Sequence, residues 1–159
     1  EASRIVDIGH ETVLAAIKSS FLKNRIGADI IFDPAESVSI VGNSGPYLQY
    51  AHARARSILS KAQLGDFTLA DVALEKDERN LVRKLSEYGE AIAKATAELM
   101  PHHVCTYLYE LAQEFNRFYE KNRVVGDERE QLRLALVTRY ADTLKEGLEL
   151  LGIRAPERM

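Results

Sequence analysis

Apolar side chains recur along this chain at helical spacing, and the recurrence divides it into elements. Over residues 7–24, Val13, Leu14, Ile17, Phe21 and Leu22 fall on one face of a helix that Gly27 ends. Ala28-Asp29-Ile30-Ile31-Phe32-Asp33 then reads as a short strand-like run before Pro34. A second helix opens at Pro46, a residue suited to a first turn because its missing N–H would have no intrahelical partner there. Its apolar stripe is Leu48, Ala51, Ala55, Ile58, Leu59 and Ala62, and Gly65 to Asp71 reads as a loop. Leu81, Leu85, Tyr88, Ile92 and Leu99 repeat at heptad-like spacing and predict one further helix. Pro101 opens the next, with Val104, Leu108, Leu111, Phe115 and Tyr119 as its stripe. The last runs from about Asp127 on Leu132, Leu136, Tyr140, Leu144, Leu148 and Leu151, and Gly152 suits its C′ position. Each stripe is apolar on one side only, so the four helices from residue 46 onward must bury those sides against one another. The predicted fold is an all-α helical bundle.

The second helix carries more than a core-facing stripe. Tyr47, Tyr50, Arg54, Ser57 and Lys61 line another face, roughly 110° around the helix from the first. Rings interleaved with cations on an accessible face suit unstacked bases and their phosphates. The net charge of −3 over 159 residues counts against a simple nucleic-acid binder. Residues 46–64, however, hold Arg54, Arg56 and Lys61 and no acid, whereas residues 65–122 hold 7 basic and 11 acidic groups. Attraction for phosphate is therefore local to the tyrosine helix.

The run Gly42-Asn43-Ser44-Gly45-Pro46-Tyr47-Leu48-Gln49-Tyr50-Ala51-His52-Ala53-Arg54 resembles a signature of the arginyl-tRNA synthetases, close to G-N-T-G-P-Y-x-Q-Y-A-x-A-R. Ser44 stands where threonine is usual and keeps the hydroxyl. The match continues at Ser57-Ile58-Leu59 with Lys61, at Leu111-Ala112, and at Phe115-Asn116-Arg117-Phe118-Tyr119-Glu120. It returns at Gly147-Leu148-Glu149-Leu150-Leu151-Gly152-Ile153 and Pro156-Glu157-Arg158-Met159. The resemblance implies a DALR-type, C-terminal anticodon-binding helical bundle over residues 46–159. It implies that residues 1–45 are the C-terminal end of the class I catalytic domain, a short α/β remnant. A chain that starts at Glu1, inside sequence that already reads as folded, is expected to be a fragment of such an enzyme. The parent joins arginine to its tRNA using ATP with Mg, through an arginyl-adenylate. Members of the family generally need tRNA bound before they activate the amino acid. The implied partners are the anticodon loop of an arginine-accepting tRNA and the catalytic half of the same enzyme.

The candidate tRNA contacts follow. Tyr47, Tyr50, Arg54 and Lys61 share the second stripe, and Arg56 lies on the same helix. Asn116 flanks the stripe of its own helix and has a planar amide able to read a base edge. Tyr119 either stacks on a base or joins Phe115 in the core. The family places this segment and the terminal Pro-Glu-Arg-Met at the anticodon end, which adds Arg158 and Met159. Arg139 projects away from the leucines of the last helix, as a contact or as a solvated arginine. His52 suits a structural role in the bundle or a tRNA contact.

No residue here is expected to be catalytic. Asp7-Ile8-Gly9-His10 lacks the first histidine of the class I His-x-Gly-His signature, and no segment resembles Lys-Met-Ser-Lys-Ser. ATP is thus expected to bind the parent and no cofactor to bind this piece, which should be inactive alone. His102 and His103 point about 100° apart on a helix and cannot converge on a metal as an i, i+4 pair does. The lone Cys105 lies near an apolar face, excludes an intrachain disulfide and fits a cytoplasmic setting. No apolar stretch approaches the roughly 20 residues that span a bilayer, so no membrane is expected. The alternative reading is a helical protein-interaction module without RNA binding, which would use the exposed tyrosines and the final residues.

Overall fold

The computed structural model describes residues 2–65 and 72–159, with side chains from Gly9 onward. Within them lie α1 (Ala2–Leu22), α2 (Pro34–Ser37), α3 (Gly45–Leu59), α4 (Lys76–Ser86), α5 (Tyr88–Glu98), α6 (His102–Lys121) and α7 (Glu130–Leu150). The loop expected over 65–71 lies, apart from Gly65, outside the described residues. There is no strand among the described residues, and 28–33 runs without regular structure. This corrects the strand expected there and the α/β character of residues 1–45. A strand needs a neighbour to pair its N–H and C=O groups, and the described chain supplies none.

α6 and α7 form the centre. α6 buries Val104, Leu108, Leu111 and Phe115 as expected, but Phe118, not Tyr119, completes the core; Tyr119 is half-buried at its rim. α7 buries Leu132, Leu136, Tyr140, Leu144 and Leu148, and also Leu134, Val137 and Ala141. Its apolar surface is wider than one stripe because it packs on α3, α4 and α6 together. Ahead of α3, Ser44 has extended backbone and its Oγ accepts the Tyr47 N–H at 3.1 Å, which caps the helix. A threonine hydroxyl would cap it in the same way.

The helix expected to run through Leu81, Leu85, Tyr88, Ile92 and Leu99 is two helices. The Tyr107 hydroxyl, from α6, donates to the carbonyl oxygens of Lys84 and Leu85, at 3.0 and 3.5 Å. A side chain inserted into the ladder breaks it, beside Ser86 and Gly89, which resist bending least. α5 then ends on Leu99 in the left-handed region, φ 54°, with its side chain exposed rather than in the stripe.

α1 also departs from its pattern. Val13, Leu14, Ile17 and Phe21 face outward, while Ala15, Ala16, Ser19 and Ser20 are buried. Small side chains let α1 lie directly on the start of α3. A Cβ on Gly45 would come within 2.2 Å of the Ala15 carbonyl oxygen. Gly45 is therefore required by close approach, while Gly42, at φ +88°, is the residue that makes the turn.

Candidate nucleic-acid interface

At its far end α7 closes in a Schellman turn. Ile153 N–H donates to Leu148 O and Gly152 N–H to Glu149 O, both at 2.9 Å, with Gly152 at φ +66°. Ile153 buries itself beside Leu148 and the chain reverses onto α3. There Gln49 Nε2 donates to Arg154 O at 2.8 Å, His52 Nδ1 to Pro156 O at 2.9 Å, and Arg56 Nε to Glu157 Oε2 at 2.5 Å. A carbonyl only accepts, so Nδ1 of His52 carries the proton. Burial holds the imidazole below its ordinary pKa against the opposing Pro156 bond and Glu157 charge, leaving the ring neutral at pH 7. His52 thus has the structural role. From α1, Lys18 donates to Gly152 O, and Arg154 pairs with Glu11.

The reversal builds a groove of about 860 Å³ between α3, the end of α6 and residues 157–159. Tyr50, Arg54, Arg56, Lys61, Tyr119, Arg158 and Met159 line it, together with Ser57 and Glu157. A second concavity of about 440 Å³, over residues 120–125, shares Ile58, Lys61 and Tyr119 with the first. Seven of the ten expected contact residues therefore meet in one place, from three parts of the chain. Arg56 is there, but its charge is matched by Glu157.

Behind the groove is an ordered stack. Tyr140 and Phe115 lie in the core with ring centroids 3.8 Å apart and planes 6° from parallel. Tyr119 stacks on the far side of Phe115, at 6.1 Å and 16°, and the Arg54 guanidinium covers Tyr119 at 4.7 Å. Arg54 Nη1 also approaches Asn116 Oδ1 at 3.4 Å, and Asn116 Nδ2 donates to the Tyr47 hydroxyl at 2.9 Å. Tyr47 packs edge-on to Tyr109 at 5.8 Å, and burial raises its phenol pKa further above neutrality. Asn116, held by Tyr47, thus approaches Arg54 from behind, and neither residue is on the groove's lining. Arg139 is elsewhere: it is exposed on α7 and its charge is felt by Tyr88 and Tyr107, on the side of α5.

The sequence reading missed Tyr109, Gln49 and Glu157. Tyr109 and Asn116 are seven residues apart and so share a face of α6, the one signal that could have found the first. The other two owe their place to the chain reversal. Of the remaining candidates, His103 Nε2 lies 2.6 Å from Glu98 Oε2, and burial pushes the Cys105 thiol up to about 12, which leaves it unreactive. Gly9 and His10 lie within α1, where no loop forms to cradle a phosphate.

Arginine–tRNA ligase of Shewanella amazonensis is 39% identical over 163 aligned residues, which cover 100% of this chain and 28% of that protein. The Thermus thermophilus arginyl-tRNA synthetase superposes with a TM-score of 0.86 at 38% identity, over 94% of this chain and 27% of the other. The Plasmodium falciparum arginyl-tRNA synthetase gives 0.88 at 27% identity, over 96% and 28%. The chain thus spans under a third of the length of these relatives. Residues 48–159, which contain the groove, match the DALR anticodon binding domain. This chain belongs to the DALR anticodon-binding domain family.

Proposed function

We propose that the chain recognises the anticodon loop of an arginine-accepting tRNA on behalf of an arginyl-tRNA synthetase, an ATP- and Mg-dependent ligase of the cytoplasm. The observation that carries this reading is the groove. It lies on a helix without a single acid, exposes Tyr50, and backs it with the Tyr119–Arg54 stack. Bases would stack on Tyr50 and on the Arg54 guanidinium that caps Tyr119, Lys61 and Arg158 would meet phosphates, and Met159 would close the apolar side. Residues 46–159 would be the RNA-binding domain and residues 1–45 the end of the catalytic one. The outward apolar face of α1, with Val13, Ile17 and Phe21, supports packing against a catalytic half.

Titrating the chain with an arginine-accepting tRNA, and with the same tRNA carrying an altered anticodon, tests the reading. Preference for the first is expected, with Tyr50→Ala costing about 1–3 kcal/mol of binding. Lys61→Ala should flatten the salt dependence by about one unit of log–log slope, the mark of a lost phosphate contact. Binding indifferent to RNA and to salt would instead favour a protein-interaction module. The same chain should give no arginine-dependent ATP–pyrophosphate exchange, since residues 7–10 lack the paired histidines. Exchange by the pure chain would refute that.

A further inference from the structure

α3 presents two polar faces; the groove lies on one of them, and from the other only Arg56 reaches its edge. Tyr50, Arg54 and Lys61 line it; Gln49, His52 and Arg56, at i, i+3 and i+7, lie roughly 140° away by helix geometry and grip Arg154, Pro156 and Glu157. Gln49 and His52 are both 1% exposed, so neither can touch RNA in this conformation. We propose that Gln49 and His52 are positioning residues for RNA recognition, strapping residues 153–159 so that Arg158 and Met159 form the outer wall of the groove.

What the two donors supply is order. Past Ile153, the side chains of Arg154, Glu157, Arg158 and Met159 are exposed, so the segment has almost no core of its own to hold it. Its course is set by two buried donors on backbone carbonyls and by the exposed pairs Arg56–Glu157 and Arg154–Glu11. Exposed ion pairs contribute little. Carbonyls bonded to buried donors hold the backbone whatever the side chains do, and losing a donor strands its acceptor. A segment already strapped brings Arg158 and Met159 to the ligand without the entropy cost of ordering it at that moment.

The inference rests on the RNA reading above, and the test separates the two. The full 159-residue chain would be titrated with a synthetic RNA hairpin carrying an arginine anticodon loop, as wild type and as His52→Leu, His52→Asn and Gln49→Leu. Amide hydrogen exchange over residues 153–158 and thermal midpoints would be measured in parallel. His52→Leu and Gln49→Leu should each bind the hairpin about tenfold more weakly and exchange faster over 153–158, with α6 and α7 still protected. His52→Asn should recover both, because an asparagine Nδ2 can replace the Nδ1 donor. Faster exchange with unchanged hairpin affinity would overturn the positioning role and leave RNA recognition standing. Unchanged exchange would show that these donors do not hold the segment, and would overturn it equally. A wild-type chain that ignores the hairpin would overturn the RNA reading and this inference with it.

Discussion

Replacing Glu78 with glutamine is expected to lower the unfolding free energy by about 2–3 kcal/mol at pH 7. Glu78 is fully buried at the start of α4. Its Oε2 lies 2.6 Å from Arg129 Nη2, its Oε1 3.1 Å from Arg133 Nε, and Oε2 also accepts the Glu75 N–H at 2.9 Å. Arg133, itself buried, goes on to Arg123 O at 2.7 Å and to Asp127 Oδ2 at 3.2 Å. The cluster thus joins the start of α4, the start of α7 and the turn between α6 and α7. Burial opposes ionisation of Glu78, but the Arg129 bonds, the Glu75 N–H and Arg133 outweigh it and hold the carboxyl down to about 2. Because the folded pKa is the lower one, the stabilisation is complete above the unfolded value of 4.5 and disappears as pH falls from there through about 2. That shift corresponds to about 3 kcal/mol, or closer to about 2 once solvent screening is allowed for. Urea unfolding at a series of pH values checks both parts. The gap between wild type and Glu78→Gln should be widest at neutral pH and should close between about pH 4.5 and 2. A gap that did not change with pH would mean that the carboxylate charge contributes nothing.

Gly45→Ala is expected to destabilise, although helix propensity predicts the reverse. Alanine is better than glycine in a helix by about 1 kcal/mol. Here its methyl would sit 2.2 Å from the Ala15 carbonyl oxygen, 2.6 Å from that carbon and 2.9 Å from Ser19 Oγ. Two of those three atoms are backbone, so no rotamer change relieves the contact and α1 must move off α3. The movement would also part Gly45 N–H from Ser19 Oγ, which accepts it at 2.7 Å. A net loss of about 1–3 kcal/mol follows, with faster amide exchange in α1 from residue 9 onward and protection kept in α6 and α7. A variant as stable as the wild type, with α1 still protected, would show that the approach is not tight.

Much of this architecture was legible in one dimension. The stripe of α7 was read residue by residue, as were its Gly152 terminus and the opening of α3 at Pro46, because periodicity and helix ends are local properties. The cation-bearing tyrosine face was legible for the same reason. Other positions misled. The break at Glu87 comes from the Tyr107 hydroxyl of α6, in the neighbouring helix, and α4 and α5 carry no proline to announce it. Apolar periodicity in α1 named the wrong side, since Ala15, Ala16 and Ser19 pack by being small rather than by being hydrophobic.

The sequence by itself determined the helical class, the core of α6 and α7, and a face on α3 able to attract RNA, all of which depend on residue type at fixed spacing within one element. Only the tertiary structure decided that Tyr50, Arg54, Lys61, Tyr119, Arg158 and Met159 form one groove, that Arg139 stands apart, and that His52 and Gln49 hold a wall instead of facing the ligand. Those outcomes depend on where the last seven residues lie after the Schellman turn, and their course is set by Gln49 and His52 of α3, which bond the Arg154 and Pro156 carbonyls from more than a hundred residues away, an interface that no local pattern encodes.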